Sequence, residues 1–214
     1  MSEFNIDILA IGAHPDDVEL GCAGTLLKFK EQGADIDIVV ARDDNAPKPS
    51  VTRPREKYIA EYKASEEVMG VEFTFMDNPH TADGRPVLEW NNTNIQQMDA
   101  LVNRKPYDLI ITHSPGDHHN DHVATYRIVN SALRRYHGEF WLMEGGPYSN
   151  KNKEFDPTVF VDITDYIDKK IEAISCYDSY FSETLLHNIK GLAGYRGQML
   201  NVRSVSYTHL TLPT

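Results

Sequence analysis

The feature that most limits the fold is the alternation of short apolar segments with segments of helical spacing along most of the chain. "NIDILAIGAH" (residues 5–14) is typical of a buried strand, and "GCAGTLLKFKEQG" (residues 21–33) has apolar residues at helical spacing and ends at a glycine. Strands that alternate with helices form βαβ units, which build a mostly parallel sheet with helices on both faces. The sequence therefore predicts a Rossmann-like α/β fold with its active site at the carboxyl ends of the strands.

The same alternation continues along the chain to about residue 179. Further strands are predicted over "ADIDIVVAR", "VEFTFMD", "YDLIITHS", "EFWLME" and "TVFVDI". Further helices are predicted over residues 55–69 and over "NTNIQQMDALVNRK", "HVATYRIVNSALRRY" and "TDYIDKKIEAISCYDS", the last with a Thr/Asp cap. The 214 residues contain no internal repeat and no interior linker, so we expect one domain of ordinary size.

Composition excludes several classes of protein. The chain has 21 basic and 32 acidic residues and a formal charge of −11, so we expect no nucleic-acid partner. Its two cysteines, Cys22 and Cys176, lie far apart, which argues against a disulfide framework and for a reducing compartment. No signal-peptide pattern follows Met1, and no apolar run approaches the roughly 20 residues of a transmembrane segment. We therefore expect a cytoplasmic protein.

Two polar clusters directly follow predicted strands, "AHPDDVE" after the first and "THSPGDHHNDH" after the fourth. Their ionisable residues are His14, Asp16, Asp17 and Glu19 in the first cluster, and His113, Asp117, His118, His119, Asp121 and His122 in the second. The carboxyl ends of parallel strands lie at one edge of a sheet, where ligands bind. We therefore expect the two clusters to form one site, although a solvated loop is the alternative for any single histidine of the second cluster.

The residue types in these clusters favour a metal site. Imidazole together with carboxylate suits Zn²⁺ and related divalent ions, whereas an all-oxygen set would suggest Mg²⁺ or Ca²⁺. Catalytic zinc usually has three protein ligands and an open position for water, so a His–Asp–His set is a reasonable expectation. Such a site would activate water and polarise a carbonyl oxygen.

The two motifs resemble the signatures of the PIG-L/LmbE-like zinc-dependent N-acetylglucosaminyl deacetylases. The family pattern is AHPDD-x-E near the amino terminus and H-x-D-H after a later strand, and "AHPDDVE" and "HNDH" match it in order and position. The similarity extends through "GCAGTLLKFKEQG", "EEVMGVEFTFMD" and "VDITDYIDKKIEAI", over residues 6–203. It implies a single deacetylase domain over residues 1–203.

The resemblance also implies roles for individual residues. The metal ligands would be His14, Asp17 and His122, holding Zn²⁺, with Fe²⁺ or another divalent metal as the alternative. Asp16 would be the general base that takes a proton from the bound water. His119 would stabilise the oxyanion or protonate the leaving amine, and Asp121 would orient a histidine.

Three further residues are expected near the substrate on weaker grounds. Arg42 closes the second strand and would meet a substrate hydroxyl or phosphate, or else pair with Asp43 or Asp44. Glu19 would cap or brace the first helix, favoured by the helix dipole, or touch the site. His113 ends the fourth strand and would lie behind the metal ligands or at the substrate.

The predicted activity is the removal of an acetyl or other acyl group from an N-acetylglucosamine-type amino sugar conjugate by metal-activated water. The alternatives are an inactive protein that binds metal and carbohydrate, and an amidase of another N-acyl substrate. A serine hydrolase is not expected because a G-x-S-x-G motif is absent, and no G-x-G-x-x-G motif marks a dinucleotide site. The aglycone cannot be read from the sequence, and a homo-oligomer is left open.

The last segment of the chain departs from the family pattern. The family continues with a strand that bears alanine, phenylalanine and an acidic residue, whereas this chain reads "SVSYTHLTLPT". We interpret residues 204–214 as an atypical tail, a truncation or a sequencing artefact, and exclude them from the predicted fold.

Overall fold

The computed structural model describes residues 5–42, 54–81, 86–145 and 155–211, with the backbone alone for residues 207–211. Its strands are β1 (Asp7–Gly12), β2 (Asp35–Val40), β3 (Phe73–Phe75), β4 (Leu109–His113), β5 (Glu139–Met143), β6 (Val159–Asp162) and β7 (Val205–Thr211). Its α-helices are α1 (Asp17–Glu31), α2 (Arg55–Met69), α3 (Asn92–Val102), α4 (Asn120–Ala132), α5 (Ile167–Ser175) and α6 (Glu183–Gly197). None of the helices in the described ranges is long and apolar enough to cross a membrane.

The strands form one sheet in the order β3-β2-β1-β4-β5-β7-β6. The five strands from β3 to β5 are parallel to their neighbours, and β7 runs antiparallel to both β5 and β6. Ile8 pairs with Leu109, so β1 lies directly beside β4, and the strand order reverses between them. The predicted α/β fold with a mostly parallel sheet is confirmed.

Two apolar clusters cover the two faces of the sheet. Ile8 and Ala10 of β1 lie in the cluster that contains residues of α1 and α5, whereas Leu9 and Ile11 lie in the cluster that contains residues of α3 and α4. All four side chains are fully buried, because helices cover a central parallel strand on both sides. The helices therefore hold β1 rigidly, and its carboxyl end carries the first polar cluster.

The approach of α1 to the sheet depends on a small residue. A Cβ added at Gly21 would lie 2.5 Å from Sδ of Met143 in β5, which is shorter than the non-bonded contacts of real Cβ atoms. A glycine at this position therefore allows α1 to pack against β5 at short range, which brings the amino end of α1 over the carboxyl ends of the strands.

Several element boundaries differ from the sequence prediction. The bounds of α2 agree with it, but α1 begins at Asp17, four residues before the predicted segment. Helix α5 begins after Tyr166 without a side-chain cap, two residues beyond the predicted Thr164 cap, whose N–H donates to Asp162. Helix α6 was not predicted, since glycines interrupt its apolar pattern, although its Ser182 cap accepts a hydrogen bond from the backbone N–H of Leu185.

Most of residues 204–214, which we left out of the predicted fold, lies in a strand. Val205–Thr211 form β7, which pairs with β5 from Phe140 to Met143 and with β6 from Val159 to Asp162. Without this strand, the backbone groups of β5 and β6 that face it would lack partners, and the exposed edges would be open to pairing with other chains. The segment therefore completes the sheet.

Candidate active site

The two polar clusters meet at the carboxyl ends of β1 and β4. The N–H of Ala13, in the loop after β1, donates to Nε2 of His113 at the end of β4 over 2.9 Å. The carbonyl of Ala13 accepts from the backbone N–H of Arg42, just beyond β2, over 2.9 Å. Because the strand order reverses between β1 and β4, this is the position at which open parallel sheets bind their ligands.

The turn before α1 separates two adjacent carboxylates. Asp16 has φ 110° and ψ −27°, a left-handed conformation that costs a non-glycine residue on the order of 1–3 kcal/mol. The backbone N–H of His14 donates to Oδ2 of Asp17 over 2.7 Å, and the N–H of Leu20 donates to the carbonyl of Asp16 over 2.8 Å. Asp17 thereby turns inward, whereas the Asp16 carboxylate makes no hydrogen bond to any residue within the described ranges.

Asp17 lies at the centre of three histidines. Its Oδ2 lies 3.2 Å from Nε2 of His113 and 3.4 Å from Nδ1 of His14. Its Oδ1 lies 3.2 Å from Nε2 of His122. Burial alone would raise the pKa of Asp17, but the imidazoles of His113 and His122 outweigh burial and hold that pKa well below its usual range. The carboxylate is therefore ionised and able to bind a cation.

Asp16 has the opposite electrostatic environment. Burial and the neighbouring Asp17 carboxylate raise the pKa of Asp16 well above its ordinary value. A carboxylate with a raised pKa accepts a proton more readily near neutral pH. The two adjacent acids thus differ in chemistry because the turn gives them different surroundings.

Carboxylates also contact the outer nitrogens of two of the histidines. Nε2 of His14 lies 3.0 Å from Oδ2 of Asp121, and Nδ1 of His122 lies 2.8 Å from Oδ2 of Asp117. Each ring therefore has one nitrogen at a carboxylate and the other towards Asp17. This pattern is typical of metal-binding histidines, whose outer N–H is held by a carboxylate.

The proton affinities of His14 and His122 reflect the same negative field. Burial lowers the pKa of each ring, but the surrounding carboxylates outweigh it and raise the pKa of His14 to about 10 and that of His122 to about 9. The same negative field would favour the binding of a divalent cation, and metal binding would displace the protons.

The donor set fits a divalent ion that prefers nitrogen and oxygen ligands. Ligand atoms of His14, His119 and His122 lie within 4.8 Å of one another, and so do those of Asp17, His113 and His122. Nε2 of His113 already accepts the Ala13 N–H, and its buried Nδ1 has no hydrogen-bond partner within the described ranges. The ligands that remain are mixed imidazole and carboxylate groups, which suit Zn²⁺, Fe²⁺ and similar metals.

His119 lies at the amino end of α4, on the open side of the site. Its Nδ1 accepts the N–H of Asp121 over 3.2 Å, so a neutral ring carries its proton on Nε2. Its ring centre lies 5.0 Å from that of His14 and 4.6 Å from that of His122. Burial, followed by the two neighbouring histidines, lowers the pKa of His119. His119 is therefore a neutral N–H donor beside the candidate metal ligands.

Asp117 contacts two histidines of the cluster, and the sequence analysis gave it no role. Its Oδ2 contacts His122, and its Oδ1 accepts the backbone N–H of His119 over 2.8 Å. One carboxylate thus fixes both histidines of the second motif. Its position within the "PGDHHNDH" loop was the only available signal, because its two contacts depend on the path of the backbone.

The three residues expected near the substrate occupy different positions. Nη1 of Arg42 donates to Oδ2 of Asp121, while Asp43 and Asp44 lie outside the described residues. Arg42 therefore supports the carboxylate that holds His14. His113 lies behind the candidate ligands, with 1% of its surface exposed. Glu19 is equally buried and bonds to Ser65 and Tyr177 instead of the cluster.

A sequence model of the PIG-L family, described as GlcNAc-PI de-N-acetylase, matches residues 9–133, which is more than half of the chain. The chain belongs to the PIG-L family. The matched region contains both polar clusters, the whole of β4 and β1 from Leu9 onward.

Two curated relatives are similar in sequence. "Uncharacterized deacetylase YaiS" of Escherichia coli is 33% identical over 131 residues, covering 59% of this chain and 68% of the relative. "Diacetylchitobiose deacetylase" of Thermococcus kodakarensis is 22% identical over 213 residues, covering 90% of this chain and 78% of the relative. Deacetylases are thus found among the PIG-L relatives of this chain.

Two solved structures share the fold. The conserved protein TT1542 from Thermus thermophilus superposes with a TM-score of 0.80 at 24% identity, covering 98% of this chain and 96% of that one. GalB, the 4-carboxy-2-hydroxymuconate hydratase of Pseudomonas putida, superposes with a TM-score of 0.78 at 18% identity. The match covers 98% of this chain and 97% of GalB. Because GalB is a hydratase, the fold alone does not decide the reaction.

Proposed function

We propose that the chain is a metal-dependent N-deacetylase that hydrolyses the N-acetyl amide of an N-acetylglucosamine-type conjugate. The observation that carries the proposal is the arrangement around Asp17, which lies between His14 and His122 while a carboxylate contacts the outer nitrogen of each ring. Family membership and the deacetylase relatives support the same reaction.

His14, Asp17 and His122 would hold the metal, and Asp121 and Asp117 would orient the two imidazoles. A divalent ion such as Zn²⁺, when bound there, would lower the pKa of water and polarise the amide carbonyl. The chain's own residues would then carry the proton transfers and stabilise the developing charge.

Asp16 is suited to the role of general base, because its carboxylate is free of hydrogen bonds within the described ranges and its pKa is raised by burial and by Asp17. It would take a proton from the water as the oxygen attacks the acetyl carbon. The Nε2–H of His119 would donate to the oxygen that becomes negative. When the C–N bond breaks, the proton on Asp16 would pass to the departing nitrogen, giving acetate and a free amine.

The experiment is a screen of the metal-loaded protein against N-acetylglucosamine conjugates with different aglycones, with deacetylated products identified by mass spectrometry. His119→Ala should lower kcat by about 100-fold or more, as expected for loss of a group acting on the transition state. His118→Ala is the matched control, because His118 is the exposed adjacent residue and makes no hydrogen bond or ion pair with another residue of the described ranges. Metal binding without turnover on any conjugate would favour the inactive binding protein instead.

A further inference from the structure

Glu19 forms a buried hydrogen-bonded cluster just behind the candidate active site. Its Oε1 accepts hydrogen bonds from Oγ of Ser65 in α2 and from Oη of Tyr177 just after α5, each over 2.5 Å. Glu19 and Tyr177 are each 1% exposed and Ser65 is fully buried. One carboxylate in the first turn of α1 is therefore bonded to two segments that are distant in the sequence.

Burying a carboxylic acid at this position costs free energy of folding. Burial raises the pKa of Glu19, and burial together with the Glu19 carboxylate raises the pKa of Tyr177. Apolar side chains of similar volume often stabilise a protein as well as a buried polar cluster does. A polar cluster differs from apolar packing because its hydrogen bonds fix the relative positions of the atoms they join.

The first turn of α1 needs such a constraint. It contains Asp17 and follows Asp16, whose left-handed backbone persists only if its surroundings hold it. Helix ends fray when few contacts fix them. Glu19 lies two residues beyond Asp17, so an anchor on its side chain restrains both carboxylates.

We propose that Glu19 is a positioning residue that anchors the first turn of α1 to Ser65 and Tyr177 and thereby fixes the metal-binding and proton-accepting carboxylates of Asp17 and Asp16. Its effect on turnover rests on the proposed function, whereas its effect on metal affinity does not. A purely structural role would lower stability without a specific effect on metal affinity.

The test compares two tyrosines that make the same kind of bond at opposite ends of the sheet. Tyr107, 4% exposed, donates from its hydroxyl to Asp37 over 2.7 Å near the amino ends of the strands. Tyr177→Phe removes a buried hydroxyl-to-carboxylate bond, and Tyr107→Phe removes a partly buried one, together with the hydrogen bond that the Tyr107 hydroxyl accepts from Arg104. Thermal unfolding in EDTA measures the stability of each variant, and competition with a chromophoric chelator measures its affinity for Zn²⁺.

We expect both tyrosine variants to lose stability, but only Tyr177→Phe to lose Zn²⁺ affinity, by about 10-fold or more, as is typical for residues behind metal ligands. Glu19→Leu should show a larger loss, and Glu19→Gln should recover much of it because the amide oxygen can accept both hydrogen bonds. Ser65→Ala replaces Glu19→Leu if that variant does not fold. Equal Zn²⁺ affinity in Tyr177→Phe and Tyr107→Phe would overturn the proposal. If the wild type binds Zn²⁺ but deacetylates no conjugate, the proposed function fails while this comparison still decides the role of Glu19.

Discussion

At the scale of single residues, the adjacent acids Asp16 and Asp17 show how backbone geometry assigns chemistry. The left-handed φ of Asp16 directs Asp17 towards three imidazoles and leaves Asp16 without hydrogen bonds to described residues. The sequence motif predicted two separate roles, but the strained turn that separates them cannot be read from residue types. A positive φ is uncommon for non-glycine residues, although Asp adopts it more often than most.

We expect substitution of the two acids to separate catalysis from metal binding. Asp16→Asn should lower kcat by about 100-fold or more while Zn²⁺ affinity stays near that of the wild type, because the general base is lost and the ligands remain. Asp17→Asn should instead lower Zn²⁺ affinity, since it removes a charged ligand. Steady-state kinetics and chelator competition measure the two effects. Wild-type turnover in Asp16→Asn would show that Asp16 is not the base.

Two of the three histidines around Asp17, His14 and His122, predict how the stability of metal-free protein depends on pH. Burial lowers their pKa values, but nearby carboxylates outweigh it and raise the pKa from 6.5 to about 10 for His14 and to about 9 for His122. A group whose pKa is higher in the folded state stabilises the fold fully below its unfolded pKa and loses that contribution as pH rises through the folded pKa. The free energy of unfolding should therefore fall between pH 6.5 and about pH 10.

Urea denaturation in EDTA across this pH window measures that fall. His122→Asn should flatten part of the profile because it removes one of the two titrating groups, while the exposed His118→Asn should leave the profile as in the wild type. A wild-type profile that rises over the same window would show that the carboxylates do not hold these protons.

At the scale of elements, sequence periodicity predicted most strands and helices, and the bounds of α2 agree with the structure. The helix and the helix boundary that it did not predict have local causes. Glycines at positions 191, 194 and 197 obscured α6, and the polar residues of "AHPDDVE" obscured the start of α1 at Asp17. Periodicity follows apolar residues, so it does not locate a helix end that is made of polar residues.

Two glycines in helices should respond in opposite ways to alanine. Gly21→Ala should destabilise the protein by about 1–3 kcal/mol, because its Cβ would meet Met143 at 2.5 Å. Gly191→Ala should stabilise it by about 0.5–1 kcal/mol, because the position is helical and no described atom lies within 4 Å of the added Cβ. Thermal denaturation of both variants measures their change in stability. Similar changes in the same direction would contradict the packing described for α1 and β5.

At the scale of the whole molecule, the site follows from the sheet. The strand order reverses between β1 and β4, and that brings together two motifs about a hundred residues apart in the sequence. Sequence reasoning could foresee this meeting because both motifs follow strands. It could not foresee that Arg42 pairs with Asp121, since this contact depends on how the segments after β2 and β4 approach each other. Nor could it foresee that Asp117 holds two histidines, since both contacts depend on the local path of the backbone after β4.

The most direct test of the central claim is a titration of metal-free protein with Zn²⁺ while acetate release from a cleavable N-acetylglucosamine conjugate is followed. We expect no release without metal, a rise in rate with each addition, and saturation near one equivalent of Zn²⁺. Release at the same rate in EDTA as with Zn²⁺ would contradict a site built from His14, Asp17 and His122.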